Sequence, residues 1–286
     1  MTERLSDVAI RVQSVRQLSA VIAAMQGIAG ARSREARSRL AGVRAYAQTI
    51  ATAIGEALEY LPAGPSAGTG AAPAGRHSVV AFCAEQGFAG VFNERVLDAA
   101  ERLVAPAPER ASLLLVGDRG LMAAKERKLA VAWSAPMVAH VGQAASLANR
   151  VVEELYRQID QEDVSRISII HAVPNFSEGI DVREKILIPF DFSRFPPARH
   201  VQRPLFTLPP DVLLVRLAEE YVFAELCEAV MLSYAAENEA RMRAMITAKS
   251  NVTTALDELM SKSRRLRQEE ITNEILELAG GESASA

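Results

Sequence analysis

From Leu5 to Leu61 apolar residues return every seven positions, at Val8, Val15, Ile22, Ala29, Ala36, Val43, Ile50 and Ala57. That repeat keeps one seam of a helix facing a partner helix. A companion phase, Leu5, Val12, Ser19, Gln26, Ser33, Leu40, Ala47, Ile54 and Leu61, is apolar at its ends and polar in its middle. About 57 helical residues make a rod of about 85 Å, too long to lie on an ordinary globular domain. The helix is thinned at AAMQGIAGARSREAR, residues 23–37. Gly27 and Gly30 each cost roughly 1 kcal/mol relative to Ala in a helix interior. Their missing side chains serve either close backbone packing or a smooth surface.

LPAGPSAGTGAAPAG, residues 61–75, is rich in Pro, Gly and Ala and ends the rod as a flexible linker. The period then changes. Apolar runs at 78–83, 111–117, 129–133, 165–172 and 185–190 predict strands, and helical patterns fall between them at about 91–105, 119–127 and 143–161. Strands alternating with helices predict a mostly parallel sheet covered by helices, a Rossmann-like α/β domain. After the Pro-punctuated connector, helix-favouring sequence runs from Pro210 to Gly280-Gly281, and the heptad returns at Leu217, Ala224, Met231, Asn238, Met245, Val252, Leu259 and Leu266. Two heptad helices at opposite ends of a chain satisfy each other most simply as a long antiparallel coiled coil. The predicted organisation is a helix over 1–61, linker 62–75, α/β domain 76–195, connector 196–210 and a C-terminal helix and tail over 211–286.

Composition narrows the function. The 286 residues are 49% apolar and carry a net charge of −3, so no global basic field marks a nucleic-acid binder. Cys83 and Cys227 lie far apart without metal-site or disulfide spacing. The first residues lack a signal-peptide core, and no run reaches the eighteen apolar residues of a membrane span. A cytosolic protein, or one held at a membrane through a partner, is expected.

Catalytic signals are weak. AEQGFAGVFN, residues 84–93, follows a strand and precedes a helix, where a phosphate-cradling loop would lie, but its glycine spacing fits no nucleotide fingerprint. A tight turn with Asn93 capping the helix or bonding backbone is the better reading. His77, His140, His171 and His200 are scattered, no nucleophile elbow is present, and Asp118 and Glu178 near turns do not by themselves make an acid–base pair. No cofactor and no metal site is expected. Basic residues do cluster, at Arg32, Arg34, Arg37, Arg39 and Arg44 and again at Arg264, Arg265 and Arg267. Without aromatic residues to stack bases, they point to an acidic protein partner rather than nucleic acid.

Three stretches resemble one family. AAMQGIAGARSR resembles the N-terminal signature of the gamma subunits of rotary F-type ATP synthases. LPPDVLLVRLAEEYVFAELCEAVMLSYAAENEARMRAM resembles the start of their long C-terminal helix, and RRLRQEEITNEILELAGG resembles its end. The resemblance implies a non-catalytic central-stalk rotor, one copy per complex. Its helices would turn inside the hexamer of alpha and beta subunits, and its α/β domain would rest on the c-ring beside epsilon, at the cytoplasmic face of a bacterial plasma membrane. It also implies rotor–stator contacts at Met25, Arg241, Arg267, Gln268 and Thr272, with Arg32 as a further basic contact. A rotor that passes several stator surfaces needs a slim surface without deep interlocks, which accounts for Gly27 and Gly30.

The chain departs from the family at definite places. EQGFAGVFN keeps Gly87, Gly90 and Asn93 of the loop after the first strand but lacks the family's acid–base pair and Cys. Glu269 and Glu270 stand where small residues are usual, and Ser263 where Tyr is usual. These point to a divergent or secondary form. Two rivals fit the heptads: a coiled-coil adaptor with an α/β head, and a nucleotide-binding enzyme with helical arms. The adaptor leaves ENEARM and RQEEIT unexplained, and the enzyme would bind nucleotide as an isolated chain.

Overall fold

The computed structural model describes residues 4–61, 75–175, 179–195 and 207–283. Most of the predicted linker and connector, together with Glu178 and His200, lies outside them. Helix α1 spans Leu5–Leu58, and after the α/β segment helix α5 spans Pro210–Ser283. The latter passes through Gly280-Gly281, about one turn beyond the predicted end, a difference within the usual spread at helix termini. The chain divides into two compact units, one of residues 29–241 and one of residues 1–28 with 242–286.

In the larger unit, β1 (Arg76–Phe82), β2 (Ala111–Val116), β3 (Trp133–Ala135), β4 (Val164–Asn175) and β5 (Gly179–Ile188) form one sheet in the order β3-β2-β1-β4-β5. All pairs are parallel except β4–β5. The runs Ser78–Phe82 and Ser112–Val116 are buried throughout because helices cover both faces. Alternate residues point to opposite sides. Val80, Phe82, Leu114, Val116 and Ile169 pack with α4 (Ala144–Glu162) and the middle of α5. Val79, Ala81, Leu113, Leu115 and Ile170 pack with α2 (Phe92–Val104) and α3 (Asp118–Glu126).

The strand expected at 129–133 forms instead at Trp133–Ala135. Lys128 takes φ 59°, the Leu129 amide donates back to the Ala124 carbonyl, and Leu129 and Val131 pack against the α2–α3 side of the core. The chain is therefore still closing α3 where the apolar run begins. Gly120 is required by packing, since an added Cβ would fall 2.0 Å from Cys83 Cβ and 2.7 Å from its Sγ.

Within the larger unit, α1 and α5 run antiparallel. Arg37 is ion-paired with Glu239, Arg44 Nε lies 2.7 Å from Glu228 Oε1, and Tyr46 donates to Glu220 at 2.7 Å. From Ala224 to Glu239 α5 is buried at every position but Glu228, because it packs with both the sheet and α1. Such a segment reads as apolar all round rather than as one stripe. In the smaller unit the two helices also run antiparallel, with Arg16 beside Met260. Val8, Ile22 and Met245 are its buried seam residues.

Candidate functional site

The outward surface of α1 in the smaller unit carries a second apolar line. Leu18, Val21 and Ile28 are exposed, and Met25 completes the spacing i, i+3, i+7, i+10. This is the spacing of a helix-contacting seam, yet it is not the seam toward α5, which uses Val15, Ser19, Ile22 and Gln26. Gly27 lies beside it, and a Cβ built there meets nothing within 4 Å. Among the described residues nothing at Gly27 requires the missing side chain, so close packing within its own chain does not account for this glycine. Gly30, one turn on, is buried.

On α5 of the same unit, Arg267, Gln268 and Thr272 are exposed side by side, and the Thr272 hydroxyl donates to the Gln268 carbonyl at 2.8 Å. Ile271 and Ile275 add exposed apolar area next to them. Met25, Arg267, Gln268 and Thr272 thus belong to one unit, while Arg32, half-buried, and Arg241 belong to the other.

Arg241 is placed differently from an open contact residue, with only 5% of its surface exposed. Its guanidinium donates to the carbonyls of Gly87 and Gln86, each at 3.0 Å, to Asn238 Oδ1 at 3.1 Å, and to Glu237. Glu237 also accepts from the Gln86 amide. Burial pushes the Glu237 carboxyl above its ordinary range, and the Arg241 charge opposes that rise. The loop thus held follows β1. Asn93 Oδ1 accepts from the Ala84 amide at 2.8 Å, a bond to backbone rather than a helix cap, and Phe88 sits at φ 62° with 68% of its surface exposed.

Two of the loop's own amides are engaged within the chain, Ala84 with Asn93 Oδ1 and Gln86 with Glu237. Glu85 Oε2 accepts from the amides of Asp118 and Met137 at 3.2 and 2.7 Å, so a carboxylate from the loop occupies the start of α3. Among the described residues no cluster of His, Cys, Asp and Glu could hold a metal, and no helix is long and apolar enough to cross a membrane. Both thiols are buried. Desolvation raises Cys227 to about 11 and pushes Cys83 further up, so neither is a ready nucleophile.

Sequence reasoning missed the exposed line on α1 and the bonds holding the 85–88 loop. The first was legible at residues 18, 21, 25 and 28, but the stronger phase toward α5 overshadowed it. The second pairs residues more than 150 positions apart, such as Arg241 with Gln86. Heptad spacing carries no sign of it.

Two long helices and an α/β sheet, with Leu18, Val21 and Ile28 exposed in a row on α1, are the features of a helical assembly subunit. Residues 4–284 match the protein family described as ATP synthase. The chain is 30% identical to the ATP synthase gamma chain of Solibacter usitatus over 98% of its own length and 99% of that protein's. It is 25% identical to the gamma chain of Leifsonia xyli, covering 96% and 95%. The chain belongs to the ATP synthase gamma chain family. Its fold is also that of a chain in the Euglena gracilis mitochondrial ATP synthase assembly of OSCP, F1 and c-ring, with a TM-score of 0.71 at 16% identity, covering 98% of this chain and 94% of that one. A chain of the Euglena gracilis rotor matches with a TM-score of 0.67 at 14% identity, covering 93% and 98%.

Proposed function

We propose that this chain is the central-stalk rotor of an F-type ATP synthase, coupling ion flow through the membrane sector to ATP synthesis or hydrolysis at sites on alpha and beta subunits. It makes and breaks no bond itself. The observation that carries this reading is the line of exposed Leu18, Val21 and Ile28 with half-buried Met25 beside Gly27, an apolar helix surface that the described residues leave largely open. Apolar side chains in a row on one exposed helix face suit burial by a partner. A rotor supplies the partner, a hexamer of alpha and beta, and the reason for low relief.

The helical segments 1–61 and 211–286 form the stalk, and the α/β domain of 76–195 meets epsilon and the c-ring at the cytoplasmic face of a bacterial plasma membrane, reaching the bilayer only through the ring. Met25, Arg32, Arg267, Gln268 and Thr272 are contact positions against the hexamer. Arg241, being buried, reaches a stator only through the loop that it holds. Rotation changes the beta sites by differential contact free energy, because contacts equal in all states would shift nothing. Co-expression with alpha and beta from the same genome, purification through beta, and native mass spectrometry with an ATPase assay test the reading. A 3:3:1 complex whose steady hydrolysis requires this chain is the expected result. Exclusion of the chain from the complex would favour the adaptor reading.

A further inference from the structure

β5 ends one side of the sheet with a charged run, Arg183, Glu184 and Lys185, and α5 sets two carboxylates, Glu225 and Glu228, opposite that run. Between them, within the larger unit, lies a crevice of about 260 Å³. Arg44 of α1 and His171 of β4 also line it. The charges are sorted by depth. The side chains of Glu225 and Glu228 are 5% and 19% exposed, while those of Lys185, Arg44 and Arg183 are 33%, 58% and 61% exposed. A solute entering the crevice therefore meets cations before it meets the inner carboxylates. Glu184 also lies outward, with Arg166 at 3.7 Å. With ion-pair partners included, Arg44, Arg166, Arg183, Lys185 and Arg194 are set against Asp181, Glu184, Glu225 and Glu228, an excess of one positive charge.

Donors remain available at the mouth. Arg44 Nε donates to Glu228 at 2.7 Å and Arg183 Nε to Asp181 at 2.8 Å, and the Nη groups of neither arginine hydrogen-bond to another described residue. Each guanidinium is thus anchored and still presents open N–H groups, an arrangement suited to the oxygens of a phosphate-like anion. His171 is 7% exposed, and its Nδ1 finds no hydrogen-bond partner among the described residues, which is uncommon for a buried polar atom. We infer that this crevice is a binding site for a small tetrahedral oxyanion of the size and charge of inorganic phosphate, taken by Arg44, Arg183 and Lys185 beside His171. No existing ion pair has to break, because Arg44 keeps Glu228 through Nε, and Lys185 and Arg194 still flank Glu225. The anion offsets the excess positive charge and brings acceptor oxygens to a wall where a ring nitrogen lacks a partner. The site needs only residues of this chain, so it stands apart from the rotor reading.

Isothermal titration calorimetry of the full-length chain with sodium phosphate at neutral pH tests the site, with sodium chloride at matched ionic strength as the reference. One saturable site with a dissociation constant of about 1 mM or below is expected. Arg183→Gln should weaken it about tenfold or more, as should Arg44→Gln. Arg183 pairs with the partly exposed Asp181, so its removal strands no inner carboxylate, and it decides the case if Arg44→Gln fails to fold. Arg127→Gln removes a cation paired with Asp98 on the α2–α3 side of the sheet, changes the overall charge equally and should bind as the parent does. In the NMR spectrum of the histidine rings, saturating phosphate should move the His171 signal, identified by its loss in His171→Asn, and leave the His140 signal in place. Heats no different from those of chloride, an affinity unchanged in Arg183→Gln, an equal loss in Arg127→Gln, or an unmoved His171 signal would each overturn the site. Assembly with alpha and beta plays no part in these measurements, so the oxyanion site and the rotor reading stand or fall separately.

Discussion

Gly27 separates the stability of the free chain from the working of the complex. An Ala Cβ there meets no atom within 4 Å, so the substitution adds helix propensity and no clash. The gain in an exposed helix interior is about 0.8–1 kcal/mol, and Leu, also a good helix former, should give nearly as much. Urea unfolding of the purified full-length chain, followed by circular dichroism, should therefore show both variants more stable than the parent. In the complex the sign reverses. If the surface beside Met25 lies against packed stator side chains, each added group must be accommodated at an overpacking cost of roughly 1–3 kcal/mol for the larger side chain. Incurred at the tightest rotational position, that cost slows turnover about 5- to 160-fold, since 1.36 kcal/mol is tenfold in rate. Steady-state ATP hydrolysis of the assembled complex should fall in the order parent, Gly27→Ala, Gly27→Leu. A Gly27→Leu complex turning over at the parental rate would refute the stator contact, and a destabilised Gly27→Ala chain would refute the open placement of Gly27.

Gly120 is the opposite case. Gly120→Ala forces a Cβ onto Cys83 and should cost about 2–4 kcal/mol despite the helix gain, lowering the melting temperature by roughly 5–15 °C. An unchanged melting temperature would contradict the packing. Gln158 is fully buried and accepts from Ser78 at 2.6 Å and Ser112 at 3.1 Å. The two hydroxyls lie 3.0 Å apart, so in Gln158→Leu they keep each other, one hydrogen loses its acceptor and Glu154 Oε1 loses the Gln158 amide at 2.8 Å, costing about 1–3 kcal/mol in urea unfolding. Adding Ser78→Ala and Ser112→Ala should recover only the part due to the hydroxyls. His171 is buried between Lys185, Arg183, Glu225 and Glu228, and desolvation, aided by Lys185, lowers its pKa to about 4. The unfolded chain then binds a proton that the folded chain refuses, so stability is full above about pH 6.5 and falls as pH drops toward 4. His171 contributes up to about 3 kcal/mol of that fall, and His171→Asn should flatten the pH dependence of the melting temperature over this window.

Much of the architecture was legible because period is a local signal. The seven-residue return marked both long helices, and the alternation of apolar runs with helical patterns marked the α/β segment and its mostly parallel sheet. The strand at Trp133–Ala135 was misplaced because Leu129 and Val131 are half-buried by the closing of α3 and not by a ladder. The middle of α5 shows the limit of periodicity. Covered on several sides, Ala224–Glu239 buries Ser233, Glu237, Asn238 and Glu239 as well as its apolar residues, and only tertiary partners explain them. Ser233 accepts from the Ala172 amide and Glu237 from Gln86, across 61 and 151 residues. Arg241 illustrates the same point for the site. Its motif identified the position, while its burial and its four own-chain acceptors depend on where the loop after β1 comes to rest.

Rotation itself is the most direct measurement. The native thiols at Cys83 and Cys227 are buried, so a single exposed cysteine, introduced as Ala107→Cys, gives a selective attachment point for a bead on this chain. With the complex fixed to a surface through its beta subunits and supplied with ATP, the account predicts unidirectional stepping of the bead with a threefold pattern of dwells. ATP hydrolysis at the normal rate by complexes that hold the labelled chain, with the bead stationary, would contradict it.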